Sequence, residues 1–199
     1  AAQLRSSVLL KNANNLLPAA NGKRIYVEGV AREAAAKFGT LVDDPKSADL
    51  AILRIPTPST TYPYGGAFAM GMPRGGAPAA PPSVATYGVT LAYANAANWQ
   101  VLEQVRKVAA SGTPTVVIVN MDKPAILSEF IESVPAVFAA FGATDTALLD
   151  LVFGKAKPSG KLPIDLPADM PSVMSQAADV PFDIDEPLFR HGFGLTYNR

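Results

Sequence analysis

Apolar residues along this chain fall into two kinds of run. The first kind is short and almost unbroken: Ile25 to Glu28, Leu50 to Ile55, Val116 to Val119 and Val137 to Phe141. Continuous stretches rich in Val, Ile and Leu suit strands that are covered on both faces, as in a parallel sheet flanked by helices. The second kind spaces its apolar positions three and four apart, which predicts helices with one buried face. These are the Ala-rich stretch Val30 to Phe38, stopped by Gly39; the set Trp99, Leu102, Val105, Val108 and Ala109, followed by Gly112; Ile126 to Ser133; and Ala147, Leu148, Leu151 and Val152. Thr144 or Asp145 supplies the N-cap of the last helix, and Gly154 stops it. Leu4, Val8 and Leu9 predict a further helix over residues 1 to 11, ended by Asn12 to Asn15.

Strand and helix alternate through the first 153 residues, which predicts a three-layer α/β/α sandwich around an open, mostly parallel, doubly wound sheet. The four unbroken runs are its neighbouring strands. Leu162 to Asp165 reads as an added edge strand, because Pro163 and Pro167 withhold donors that a central strand needs. A single domain over residues 1–199 accommodates all of this, with two irregular parts. One is a loop at 56–87, carrying prolines 56, 58, 63, 73, 78, 81 and 82; the other is a tail at 168–199 that wraps the sheet margin or a neighbouring domain. A loop that long inside a compact domain is uncommon and draws attention as a place for function.

Composition narrows the partners. Seventeen basic and seventeen acidic residues cancel to a formal net charge of +0, so no broad field favours nucleic acid or an anionic membrane surface. There are no cysteines, which excludes disulfides and thiolate chemistry and leaves the cellular compartment open. No stretch approaches the ~18–20 consecutive apolar residues of a membrane span. The opening AAQLRSSVLL lacks the basic and long apolar regions of an intact signal peptide, and no initiating Met is present; both fit a piece of a longer protein.

Three segments carry a family resemblance. Leu149 to Pro163, LDLVFGKAKPSGKLP, is similar to the "DVLFG…PSGKLP" signature of the C-terminal sandwich domain of glycoside hydrolase family 3, the β-glucosidase family. Ser7 to Asn12 with Leu16, Leu17 and Pro18 resembles the "SIVLLKN…LLPL" opening of that domain. Pro187 to Tyr197, PLFRHGFGLTY, resembles its "PLFPFGYGLSY" close. The three stand in the family's order and bracket residues 7 to 197. The resemblance implies a β-glucosidase-like enzyme hydrolysing O-glycosidic bonds. Its partners would be a barrel domain preceding this one and a β-linked sugar, with no cofactor and no metal.

Retaining glycosidases need two carboxyl groups, a nucleophile and a general acid/base, about 5–5.5 Å apart across the sugar. The resemblance places the nucleophilic Asp on the barrel and, in many members, the acid/base Glu on a loop of the sandwich domain after its second strand. Here that loop follows Ile55, and no Asp or Glu occurs between Asp49 and Glu103. No catalytic residue is therefore assigned to this chain. The acid/base lies on the barrel, the member is degenerate, or a different loop is the matching one. What the loop holds is Tyr62, Tyr64, Phe68 and Arg74, with Tyr87 and Tyr93 beyond. Aromatic faces stack on sugar rings and an Arg bridges hydroxyls, so the first four are candidate substrate-binding residues; the plainer alternative is packing against the barrel. A non-catalytic carbohydrate-binding or stabilising module is the other function consistent with the missing carboxylate.

Other chemistry finds little support. His191 is the sole histidine and has no sequence neighbour with which to build a triad or a zinc site. Trp99, on a helix stripe, reads as core. Asp179, Asp183, Asp185 and Glu186 match no calcium-loop spacing. Neither Gly29-Val30-Ala31-Arg32 nor Gly71 to Gly76 has the G-x-G-x-x-G spacing of a dinucleotide site, which leaves a nucleotide-binding flavodoxin-like module as a distant alternative.

Overall fold

The structure, a computed structural model, describes residues 2–56, 96–177, 180 and 182–197. A one-turn helix, α1 (Ala2–Arg5), leads into β1 (Ser7–Asn12). Then come β2 (Lys23–Glu28), a short α2 (Arg32–Ala35), β3 (Gly39–Val42) and β4 (Leu50–Ile55). The chain continues with α3 (Ala96–Ala109), β5 (Thr115–Asn120), β6 (Ala136–Ala140), α4 (Asp145–Val152) and α5 (Met170–Met174).

The strands form one six-stranded sheet in the order β1-β6-β5-β4-β2-β3. All pairings are parallel except β1 with β6. The four runs predicted as neighbours are β6, β5, β4 and β2, adjacent and parallel. Alternation along each strand sends side chains to two cores. Ile25, Ile52, Val116, Ile118 and Phe138 face α2 and α4, whereas Ala51, Leu53, Val117, Val119 and Val137 face α3. Ile52, Ile118 and Phe138 are fully buried, and burying a side chain of that size contributes roughly 1.5–3 kcal/mol.

Four expectations are corrected. Residues 7 to 12 are a strand rather than the end of a helix: Leu9 points to one core while Val8 and Leu10 point to the other, so a run of four buried residues follows the two-residue period. The predicted helix over Val30 to Phe38 shrinks to α2, and Gly39 opens β3 instead of merely ending a helix. At Gly39 a Cβ would stand 2.2 Å from the Lys23 carbonyl oxygen, so glycine is what lets β3 approach β2. Ile126 to Ser133 holds only a 3-10 turn at Ile131–Ser133; Ile126, Leu127, Phe130 and Ile131 are buried, and that spacing imitated a helix. Leu162 to Asp165 is not a strand of the sheet. Its backbone pairs with the tail, Leu162 N–H donating to Phe193 O (2.9 Å) and Leu166 N–H to Phe189 O (2.8 Å). The prolines on either side leave no continuous row of donors for a sheet edge.

The tail returns to β1. Leu195 N–H donates to Leu9 O (2.8 Å), and the buried Tyr197 hydroxyl donates to Leu151 O (2.6 Å) on α4. Gly160 lies where a Cβ would meet Ser7 O at 2.3 Å and Arg5 O at 2.7 Å. The three segments that resembled the family signature thus meet around one margin of the sheet.

Candidate functional site

In an open parallel sheet, ligands bind beyond the carboxyl ends of the strands, where successive connections turn in opposite directions. From β2 the chain steps outward to β3, then returns to β4 on the other side of β2 and proceeds to β5 and β6. The reversal lies between β2 and β4. A cleft of ≈ 240 Å³ occupies that place, lined by Glu28 at the end of β2 and Gly29 just after it, Leu53, Arg54 and Ile55 from β4 with Pro56 just after it, and Val101, Gln104 and Val105 from α3.

Each lining group is placed by local structure. Tyr26 and Glu28 are two residues apart on β2 and so share the α3 face of the sheet. The Tyr26 hydroxyl donates to Glu28 Oε2 (2.8 Å), and Gln104 Nε2 donates to the same oxygen (2.6 Å) from α3. Burial first, then the hydrogen bond to Glu28 and its charge, push the Tyr26 hydroxyl up to about 12, which keeps it a donor at all ordinary pH. The floor is made by Gly29, whose φ of +68° and close approach both demand glycine: a Cβ there would lie 2.0 Å from Arg54 O.

Arg54 faces the opposite side. Its guanidinium donates to Asp145, to Asn120 Oδ1 (3.0 Å) and to Ala143 O (2.8 Å), tying β4 to β5 and to the start of α4. Asp145 also accepts from Ala31 N–H (2.8 Å), so one carboxylate joins the ends of β2, β4 and β6. Thr144 is the N-cap of α4, its Oγ1 accepting from Ala147 N–H (3.4 Å).

The candidates Tyr62, Tyr64, Phe68 and Arg74, with Tyr87 and Tyr93, lie outside the described residues, as does the side chain of Trp99. They follow Pro56, which lines the cleft. His191 is exposed in the tail: its backbone N–H donates to Asp165 Oδ1 and its ring lies 4.9 Å from Phe182. Asp183 accepts from Ala177 N–H (2.6 Å). Among the described residues no three acidic or histidine side chains gather to hold a metal ion. Sequence reasoning passed over Glu28 and Gln104. A polar residue closing an apolar strand at the reversal point was the available signal.

The fold is a three-layer α/β/α sandwich around a mostly parallel six-stranded sheet. Residues 7–197 match the family described as Glycosyl hydrolase family 3 C-terminal domain. Beta-glucosidase C of Emericella nidulans is 37% identical over 201 residues, which cover 98% of this chain and 29% of that protein. The periplasmic beta-glucosidase/beta-xylosidase of Dickeya chrysanthemi is 36% identical, with 98% and 27% covered. Among solved structures, the beta-glucosidase from Listeria innocua in complex with isofagomine superposes with a TM-score of 0.66 at 18% identity, over 98% of this chain and 33% of that one. The GH3 beta-glucosidase of Bifidobacterium adolescentis gives 0.66 at 19% identity, over 98% and 35%. The chain belongs to the glycosyl hydrolase family 3 C-terminal domains, and it spans under a third of the length of these curated relatives.

Proposed function

We propose that residues 1–199 form one domain of a β-glucosidase-like enzyme, completing the rim of an active site whose barrel lies outside this chain. One observation carries the reading: near-complete coverage of this chain by relatives named for β-glucosidase activity, at 27% to 29% of their length. Its partners are then the barrel domain and a β-linked sugar, and neither nucleic acid nor a membrane is called for. Among the described residues no helix is long and apolar enough to cross a bilayer.

A retaining mechanism needs two carboxyl groups, and the family resemblance implies that the nucleophile is on the barrel. The stretch between Asp49 and Glu103 has no acid, so the share of the loop at 56–87 is substrate binding and water exclusion rather than proton transfer. Assaying aryl β-glucosides with the isolated chain and with the enzyme that includes the barrel tests this. The isolated chain gives no turnover above background and the complete enzyme does. In the complete enzyme, Tyr62→Ala, Tyr64→Ala, Phe68→Ala or Arg74→Ala raises KM several-fold each, about 1 kcal/mol of uniform binding, and leaves both limbs of the pH profile. Turnover by the isolated chain that vanishes on mutating one of its residues overturns the reading.

The missing loop carboxylate also supports a second reading, a non-catalytic carbohydrate-binding or stabilising module. A complete enzyme that binds β-glucosides without cleaving them decides for it.

A further inference from the structure

The cleft between β2 and β4 has a chemistry of its own. Its walls are the apolar Leu53, Ile55, Val101 and Val105, and its polar group is the exposed Glu28 carboxylate. Two donors from different elements, Tyr26 and Gln104, converge on Oε2, and Oε2 alone is engaged among the described residues. A carboxylate held in one place by two donors is an acceptor whose ordering is already complete before a ligand arrives.

We infer that this cleft is a sugar-hydroxyl site, with Glu28 accepting from hydroxyl groups of a single pyranose ring and the apolar wall meeting the ring's C–H face. The inference builds on the glycosidase reading and names a residue that the reading does not supply. Charge selects the ligand. The acidic group at the mouth repels phosphates and carboxylates, and the Arg54 guanidinium lies on the opposite face of the sheet, paired with Asp145. A metal ion needs more donors than one carboxylate offers, and no such group exists among the described residues. Hydroxyl donors on a neutral ring satisfy a fixed carboxylate through charge-assisted hydrogen bonds. Size agrees: ≈ 240 Å³ lies below the roughly 300–1,000 Å³ of drug-sized pockets and suits one ring rather than a nucleotide.

The test is a titration of the 199-residue chain with methyl β-D-glucopyranoside, followed by two-dimensional ¹H–¹⁵N spectra, with inorganic phosphate as the comparison ligand. The glucoside shifts the Gly29 backbone amide and the Gln104 side-chain amide with millimolar affinity, and phosphate does not. Glu28→Ala abolishes the shifts. Glu28→Gln, which keeps the shape and removes the charge, weakens binding several-fold, and Tyr26→Phe weakens it less. Unchanged binding by Glu28→Gln, or no shift at these amides in the wild-type chain, overturns the inference. Because this readout is binding and not turnover, it fails separately from the glycosidase reading, which stands or falls on the complete enzyme.

Discussion

The two ends of the sheet differ in what they leave unsatisfied. At the β1 margin, the opening, middle and closing signature segments interlock. Asn12 brackets Leu17 with two 2.9 Å hydrogen bonds, Gly160 sits against Ser7, Leu195 pairs with Leu9, and Tyr197 is pinned to α4. At the carboxyl ends of β2 and β4 the reverse holds: an exposed carboxylate is fixed in place beside a cleft, and no recognisable signature marks it. The recognisable residues therefore build the domain, and the unremarkable ones line its cleft.

That contrast is open to breakage. The largest effect belongs to the closed margin. In Gly160→Ala the new Cβ meets two backbone oxygens that cannot swing away, so unfolding in urea should show a loss of about 3 kcal/mol. A loss below about 1 kcal/mol would mean that the margin is looser than its contacts imply. Next is Asp145→Ala, behind the cleft. It strips a partner from Arg54, whose side chain is only 18% exposed, and leaves Ala31 N–H without an acceptor. Removing a hydrogen-bonded charge of this kind costs about 2 kcal/mol, read from the same unfolding curves. An unchanged midpoint with an unchanged slope would show the pair to be ornamental.

Tyr197→Phe is gentler. It deletes one hydroxyl and leaves Leu151 O with the Gly154 N–H (3.2 Å) as its donor, at about 1 kcal/mol, with the cleft's sugar response intact. If that response vanished, the two ends would be coupled rather than separate. The smallest effect is electrostatic and depends on pH. Side-chain and backbone hydrogen bonds from Arg24 lower the exposed Asp49 carboxyl from 3.8 to about 2. A depressed folded-state value means that the pair contributes stability above pH 3.8, and that this is lost as pH falls from there through about 2. Thermal melts should fall less steeply over that window in Asp49→Asn than in the wild type. Parallel curves would refute the pairing.

The fold was legible where a periodic pattern had one interpretation. Val116 to Val119 is β-branched throughout, Leu50 to Ile55 is apolar except for Arg54, and both became the centre of the sheet. Asp145 to Val152 was legible for its cap and its apolar stripe. Where a short buried run suits either period, as at Val8 to Leu10 or Ile126 to Ile131, the pattern alone could not choose, because both alternatives bury the same side chains. β3 was overlooked because Gly39 reads as a helix stop, and its second role shows only once β2 stands beside it.

By itself the sequence determined the sandwich class, the four central strands and the family, since those rest on local period and on contiguous signature residues. It also determined that the stretch from Leu50 to Leu102 contributes no carboxylate. Tertiary structure alone decided that the signature segments converge on β1, and that Tyr26 and Gln104 converge on Glu28 at the cleft. Those residues stand 2 and 76 positions apart, and only strand order brings α3 over the end of β2. Hydrogen bonds formed across such separations leave no trace in local pattern, because the donor and acceptor are chosen by packing rather than by neighbours in the chain.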